Sequence, residues 1–148
     1  RLLFQAAPER VVAVIDRDPG FGTDRLTSGI ADFGGGRHLV FTVSTQLAPF
    51  QRVQAIGTKG RIEIQIPFNA PQGERTRILV DDGAVLGDAA ARILTLPESD
   101  QYELQGEAFS RAIRGEAPLV GGVADAIVTM RILDALRRSA ASGTWERL

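Results

Sequence analysis

The chain has 148 residues, 44% of them hydrophobic, and a formal charge of -1, which suits one domain able to bury about 70% of its unfolded surface. The small net charge, with no basic stretch interleaved with aromatics, argues against nucleic-acid binding, and no apolar run approaches the roughly 18 residues of a membrane span. The absence of cysteine excludes disulfides, thiolate metal sites and cysteine nucleophiles, and it suits a reducing, cytoplasmic location.

Two side chains that enzymes often use for proton transfer are scarce in this chain. His38 is the one histidine and Lys59 the one lysine. His38 follows three glycines and Lys59 lies between Gly57 and Gly60, so both are expected in turns rather than in a catalytic centre. A histidine-based zinc or iron site is excluded, because such a site needs several imidazoles.

The first two thirds of the chain contain short apolar runs bounded by turn formers, which is typical of strands. Residues 10–16 form a continuous β-branched run that predicts a strand buried on both faces. Residues 39–45 alternate in polarity, which predicts a strand whose second face carries the uncharged side chains Val40, Thr42 and Ser44. Further strands are predicted at residues 27–33, 51–56, 61–66, 75–80 and 91–96.

The tetrapeptide Gly57-Thr58-Lys59-Gly60 has two possible interpretations, a phosphate-binding loop or a turn. A phosphate-binding loop needs its last glycine to open a helix, so that free amides and the helix dipole converge on the anion. Residues 61–66 alternate instead between polar side chains and isoleucine, which is typical of a half-exposed strand. The sequence therefore predicts a β-hairpin with Lys59 at its solvated tip.

Two connections follow this hairpin. Residues 67–74 form a proline-punctuated loop of a length that often carries function, and it is either an ordinary surface loop or a ligand contact. Residues 81–83, Asp-Asp-Gly, predict a turn rather than a cation site, because calcium needs more oxygen ligands at regular spacing.

Two helices are predicted in the last third of the chain, at residues 100–114 and 123–142. Asp100 and Glu103 have capping-box spacing, which favours a helix start at this point. An apolar stripe containing Tyr102, Phe109 and Ile113 is expected to pack on the sheet. The second helix is expected to end at Gly143. Its inward-facing residues are predicted to be Ile127, Met130, Leu133, Leu136 and Ala140.

An ordered set of motifs adds a resemblance to these patterns. The motifs are Gly57-Thr58-Lys59-Gly60-Arg61-Ile62-Glu63 with Pro67-Phe68-Asn69, then Tyr102-x-x-Gln105-x-x-x-Phe109-x-x-Ala112-Ile113-Arg114, then Asp125-Ala126, then Ser139-Ala140-x-Ser142-Gly143-x-Trp145. From about Pro8 to its end, the chain resembles the C-terminal domain of the glucose-fructose oxidoreductase, inositol dehydrogenase and MocA family. No single motif is specific, whereas the ordered combination is.

The resemblance implies an α+β fold with a large, mostly antiparallel open sheet and helices packed on one face. Residues 1–148 would form this single domain, with the sheet at about residues 8–97. A preceding Rossmann domain would bind NAD or NADP, and the substrate would be a sugar, a polyol or a related compound. The other face of the sheet would make homo-oligomer contacts, which fits the uncharged face of Val40, Thr42 and Ser44.

Several family motifs are missing from the chain. No glycine-rich dinucleotide fingerprint follows a strand and opens a helix. The family's Glu-Lys-Pro motif and its Asp-x-x-x-His pair are absent, and neither Lys59 nor His38 matches them. We therefore expect no catalytic residue and no bound cofactor in this chain, a nucleotide-binding domain that precedes it, and no activity from the chain alone.

The resemblance places the start of the first helix beside the active cleft. Tyr102 is then a candidate hydroxyl contact to substrate, with Asn69, Asp100 and Gln101 as weaker candidates. The alternative for Tyr102 is a core residue on the apolar stripe. The alternative for the whole chain is a free-standing, non-catalytic binding or scaffold module.

Overall fold

The computed structural model describes all residues from Arg1 to Leu148. Eight strands and two helices follow one another along the chain. They are β1 (Arg10–Arg17), β2 (Asp24–Asp32), β3 (His38–Ser44), β4 (Arg52–Gly57), β5 (Gly60–Gln65), β6 (Arg77–Asp81), β7 (Arg92–Thr95), α1 (Gln101–Ile113), α2 (Val123–Ser142) and β8 (Glu146–Arg147). Neither helix combines the length and the apolar character that a membrane span requires.

The strands form two antiparallel four-stranded sheets. The first has the order β3-β2-β1-β8 and the second the order β4-β5-β6-β7. The predicted α+β class and antiparallel pairing are confirmed, but the single large sheet is replaced by two. No ladder joins β3 to β4, and the connection between them contains Pro49, which has no backbone N–H to donate.

The structure divides the chain into two compact units. The first unit comprises Arg1–Ala48 and Val120–Leu148, and the second comprises Pro49–Leu119. The first unit therefore contains one sheet and α2, and the second contains the other sheet and α1.

A small apolar core lies between α2 and one face of the first unit's sheet. Its buried members are Val11, Ala13, Ala31, Phe33, Ala135 and Leu136. Phe4 extends this core, since its ring lies 4.8 Å from that of Phe33, centroid to centroid. The expectation that β1 is buried on both faces is wrong, because Val14 is 74% exposed on the face that α2 does not cover.

The buried stripe of α2 differs from the prediction. Leu136 is buried as expected, but Ile127, Met130 and Leu133 are exposed. The buried positions are Ala135, Leu136 and Ser139. Apolar residues surround much of this helix, so periodicity alone does not single out one face. The stripe with the small Ala135 and Ser139 faces β1, where small side chains allow a close approach.

Ser139 fastens α2 to β1 by hydrogen bonds within this core. Its Oγ accepts from the Ala13 amide at 3.1 Å and donates to the Thr144 carbonyl at 2.6 Å. Gly143 ends the helix with φ at 69°, as predicted for a left-handed cap. The short strand β8, which the sequence did not predict, follows directly and pairs with the start of β1.

Lys59 and His38 were both expected in turns, and the structure places only Lys59 in one. The hairpin at Gly57–Gly60 is confirmed, because β4 and β5 pair antiparallel up to these two glycines and Lys59 is exposed at the tip. His38 instead begins β3, opposite Asp32 on β2, and its Nε2 lies 3.6 Å from Asp32 Oδ1. The three glycines before it form the expected turn, with φ between 59° and 76°.

A buried carboxylate at the end of β6 organises the neighbouring turn. The Asp81 side chain is 3% exposed, accepts from the Gly83 amide at 2.8 Å, and pairs with the Arg61 guanidinium at 3.1 Å. The Gly83 hydrogen bond and Arg61 hold the pKa of Asp81 below its usual value, against the opposing effect of burial. The turn predicted at residues 81–83 is confirmed, and its carboxylates bond the turn's own amides.

Asp81→Asn is expected to lower the thermal unfolding midpoint at pH 7. A carboxyl whose folded pKa is depressed stabilises the fold above its unfolded pKa of about 3.9 and loses that contribution as the pH falls through the folded value. The difference between wild type and variant should therefore shrink below about pH 4. Asp82→Asn is the matched control, because this exposed carboxylate bonds only the Ala84 amide. Equal differences at pH 7 and at pH 2 would contradict the assigned role of Asp81.

Candidate functional site

The loop after β5 is anchored by the side chain of Gln51. Gln51 Oε1 accepts from the amides of Phe68 and Asn69 at 3.2 and 3.3 Å, and its Nε2 donates to Asn69 Oδ1 at 2.7 Å. The loop leaves β5 at Ile66, a non-glycine residue with φ at 50°. Ile66 still donates its amide to the Gln51 carbonyl at 3.4 Å, so the anchor lies at the open end of the hairpin.

Asp100 joins the same loop to the start of α1. Its Oδ1 accepts from the amides of Tyr102 and Glu103 at 2.8 and 3.3 Å, which is the N-cap predicted from the sequence. Its Oδ2 accepts from Gln72 Nε2 at 2.6 Å. Glu103 makes no return bond to the backbone of Asp100, so only one half of the predicted capping box forms.

Gln101 supplies the second link between α1 and the loop. Its Nε2 donates to the Phe68 carbonyl at 3.2 Å. The hydrogen-bonded group of Gln51, Phe68, Asn69, Gln72, Asp100 and Gln101 is called the amide cluster below. The structure thus brings together three of the four residues singled out from the sequence, namely Asn69, Asp100 and Gln101.

Tyr102 follows the amide cluster on the first turn of α1 and is 63% exposed. The expectation that its stripe packs on the sheet is wrong, because Tyr102, Phe109 and Ile113 are exposed and α1 has no buried residue. Helical periodicity identifies an apolar face but not the surface that covers it. The first turn of α1 is linked to the loop after β5 by hydrogen bonds from Gln72 to Asp100 and from Gln101 to Phe68.

Gln51 and Gln72 are the members of the amide cluster that the sequence analysis missed. Gln72 lies inside the loop that was singled out, but its partner Asp100 is 28 residues away. Gln51 precedes β4 by one residue, and the hairpin register sets it opposite the residue that begins the loop. That register, extended one residue beyond β4, is the signal that could have identified it.

The amide cluster and the adjacent Tyr102 offer neutral hydrogen-bonding groups. Asn69 Nδ2, Gln101 Oε1 and the Tyr102 hydroxyl make no hydrogen bond within the chain, and these side chains lie at least partly exposed. Such donors and acceptors suit the hydroxyl groups of a neutral ligand. These groups can therefore bind and orient such a ligand through hydrogen bonds.

A concavity of about 710 Å³ in the first unit contains none of the four candidate substrate contacts, Asn69, Asp100, Gln101 and Tyr102. The N-terminal segment and the first half of α2 line it, and the lining includes the ion pair of Arg1 with Asp125. A second concavity, of about 450 Å³, lies beside the Gly57–Gly60 turn in the second unit. Neither contains a group of acidic or imidazole side chains arranged to hold a metal ion.

The Gly57–Gly60 turn does not fit a phosphate or a dinucleotide. A Cβ on Gly60 would lie 2.1 Å from the Asp81 carbonyl oxygen, so the chain's own backbone fills the space beside this glycine. A strand follows the turn, whereas a phosphate-binding loop is followed by a helix. This turn therefore offers no cradle for the phosphates of the nicotinamide cofactor that the family resemblance implies.

The chain is similar in sequence to two oxidoreductases. It is 46% identical over 146 residues to an uncharacterized oxidoreductase of Rhizobium meliloti and spans 44% of that protein. It is 30% identical over 145 residues to a D-xylose 1-dehydrogenase (NADP(+)) of Haloferax volcanii and spans 42% of it. The chain thus covers less than half the length of either relative, and no protein-family profile matches it.

Solved structures share the fold. All of the chain superposes on 43% of an aldose-aldose oxidoreductase from Caulobacter crescentus, with a TM-score of 0.73 and 22% identity. A 3-ketoreductase from Actinomadura kijaniata matches over 93% of the chain and 42% of its own length, with a TM-score of 0.79 and 19% identity. The homologues of this chain are oxidoreductases of the glucose-fructose oxidoreductase, inositol dehydrogenase and MocA type, and its fold is that of their C-terminal domain.

Proposed function

We propose that the chain is the substrate-binding and oligomerisation domain of an NAD(P)-dependent sugar or polyol oxidoreductase. The observation that carries this proposal is the amide cluster, which holds the loop after β5 against the first turn of α1. Three of the four residues named from the sequence are hydrogen-bonded in this cluster, and Tyr102 follows it directly. The relative from Haloferax volcanii, a D-xylose 1-dehydrogenase (NADP(+)), supports a sugar substrate and a nicotinamide cofactor.

The proposed roles of these residues are binding and orientation. The Tyr102 hydroxyl contacts a substrate hydroxyl, and the free amide groups of Asn69 and Gln101 contact neighbouring ones. Asp100 acts indirectly, because both of its carboxylate oxygens already accept hydrogen bonds within the chain. Hydride transfer also needs a bound nicotinamide and a proton relay, and we assign both to a Rossmann domain that precedes this chain.

The second proposed role is self-association through the open face of the first unit's sheet. Val40 and Val14 are exposed on this face, and Ser28 bonds Thr42 across it at 2.9 Å between their hydroxyl oxygens. The centre of this face carries apolar and uncharged side chains, and the Arg10–Asp32 ion pair lies at one end of it. An exposed surface of this kind is suited to a contact between identical copies. Sedimentation of the full-length protein should reveal an oligomer, and a monomer at high concentration would contradict this role.

Turnover by the full-length protein tests the catalytic part of the proposal. Neutral sugars and polyols are offered with NAD⁺ and with NADP⁺, and the absorbance of the reduced nicotinamide is followed. We expect turnover with at least one of these compounds. Absence of nicotinamide-dependent turnover across the panel, together with no binding of NADH or NADPH, would favour a non-catalytic binding or scaffold module.

Tyr102→Phe tests the proposed substrate contact in the same assay. The change removes one hydroxyl from an exposed side chain and leaves the ring in place. Loss of one net hydrogen bond to substrate should raise KM or lower kcat/KM by about 2- to 10-fold. Ser110→Ala is the matched control, because that hydroxyl is exposed on the same helix and bonds only the Gly106 carbonyl. Equal kinetics for Tyr102→Phe and wild type would contradict the assignment.

A further inference from the structure

The orientation of the Gln51 side chain is determined by its backbone partners. Two amide N–H groups, from Phe68 and Asn69, converge on one end of this side chain at 3.2 and 3.3 Å. Only an oxygen can accept from both, so that end must be Oε1. The other end is then the NH₂ group, which lies 2.7 Å from the side chain of Asn69.

This orientation determines in turn how Asn69 is presented. An NH₂ group of Gln51 requires an acceptor on its partner, so Asn69 must direct Oδ1 at Gln51. The remaining amide nitrogen, Nδ2, makes no hydrogen bond within the chain, and the residue is exposed. The loop therefore presents a hydrogen-bond donor at position 69, although the asparagine side chain alone could present either a donor or an acceptor.

We propose that Gln51 is the positioning residue that holds the Phe68–Asn69 segment in place and makes Asn69 a donor toward the ligand. This inference rests on the proposed function, because the ligand it addresses is the neutral sugar or polyol of that proposal. The ligand group that contacts Asn69 is an oxygen that accepts a hydrogen bond from Nδ2. Gln51 does not touch the ligand and acts through Asn69.

Gln51→Ala tests whether this side chain holds the segment. Amide hydrogen exchange is measured by mass spectrometry on the full-length protein, in peptides that cover residues 66–73. Loss of the hydrogen bonds to Phe68 and Asn69 should raise the exchange rate of this segment by about 10-fold or more. Gln54→Ala is the matched control, since Gln54 lies on β4 and bonds the side chain of Glu63 instead. Equal exchange in the two variants would overturn the holding role.

Gln51→Glu tests the orientation of the Asn69 amide separately from the anchoring of the loop. A glutamate at this position still accepts from both backbone amides, so exchange of residues 66–73 should stay within about 2-fold of wild type. It cannot donate to Asn69 Oδ1, so the Asn69 amide should rotate, direct Nδ2 at the carboxylate and present Oδ1 outward. The side-chain NH₂ resonance of Asn69, identified by its absence in Asn69→Asp, should then shift. An unchanged resonance would overturn the presentation role.

The kinetic consequence of Gln51→Glu separates this inference from the proposed function. With a turned-over sugar or polyol, KM should rise by about 2- to 10-fold while kcat changes by less than about 2-fold, because the ligand hydroxyl that accepted from Asn69 must turn and donate to it instead. If no sugar is turned over, the proposed function fails, whereas hydrogen exchange and the Asn69 resonance still decide the role of Gln51. An unchanged KM alongside a shifted Asn69 resonance would contradict the proposed contact between Asn69 and the ligand.

Discussion

Gly60→Ala is expected to destabilise the protein by about 3 kcal/mol or more. Gly60 has φ at 133°, a backbone conformation that residues with a side chain rarely adopt. The added methyl would also lie 2.1 Å from the Asp81 carbonyl oxygen and 3.0 Å from Asp82 Cα. Both neighbours are backbone atoms, so no side-chain rotation can relieve either close contact. Either β5 or the end of β6 must therefore move.

Gly57→Ala is the control for this substitution within the same turn. Gly57 ends β4 without a positive φ, and an added methyl would approach no atom closer than the Gly60 carbonyl oxygen at 4.0 Å. Its stability should stay within about 1 kcal/mol of wild type. Urea unfolding of the three proteins measures both differences. Equal stabilities for the two alanine variants would contradict the requirement for glycine at position 60.

Ser139→Ala is expected to lower the free energy of unfolding by about 1–3 kcal/mol. Ser139 is completely buried, and its hydroxyl serves both the Ala13 amide and the Thr144 carbonyl. The alanine variant leaves the buried N–H of Ala13 without its partner, which costs most of the desolvation energy of that group. The higher helix propensity of alanine recovers only a few tenths of a kcal/mol.

Ser110→Ala provides the comparison for the loss of a helix hydroxyl. The Ser110 hydroxyl is exposed on α1 and bonds the carbonyl of its own helix at Gly106. Its removal should change stability by less than about 0.5 kcal/mol, because water can replace the lost contact. A Ser139→Ala variant as stable as Ser110→Ala would show that the hydroxyl does not fasten α2 to β1.

The local elements of this fold were largely predictable from the sequence. Period-2 alternation identified the strands on both sides of the Gly57–Gly60 turn, and α2 has the predicted bounds of residues 123–142. The division into two sheets was not predictable, because strand patterns do not specify which strands exchange ladder hydrogen bonds. The buried face of α2 was missed for a related reason, since apolar residues occur on more than one of its faces.

The candidate site was predictable only in part. Asp100 was identified because an N-cap has a local signature, and the structure confirms that cap. Asn69 and Gln101 were named from the family resemblance, and the amide cluster brings them together with Asp100. Gln51 and Gln72 were missed because a hydrogen bond between side-chain amides or carboxylates distant in sequence leaves no periodic pattern.

A substrate footprint on the full-length protein tests the central claim most directly. Amide hydrogen exchange is compared with and without a turned-over sugar or polyol, in the presence of the nicotinamide cofactor. The substrate-binding role predicts that substrate slows exchange in peptides covering residues 66–73 and 100–104. Protection confined to other segments, with these two unchanged, would contradict the assignment of the substrate-binding surface to Tyr102 and the amide cluster.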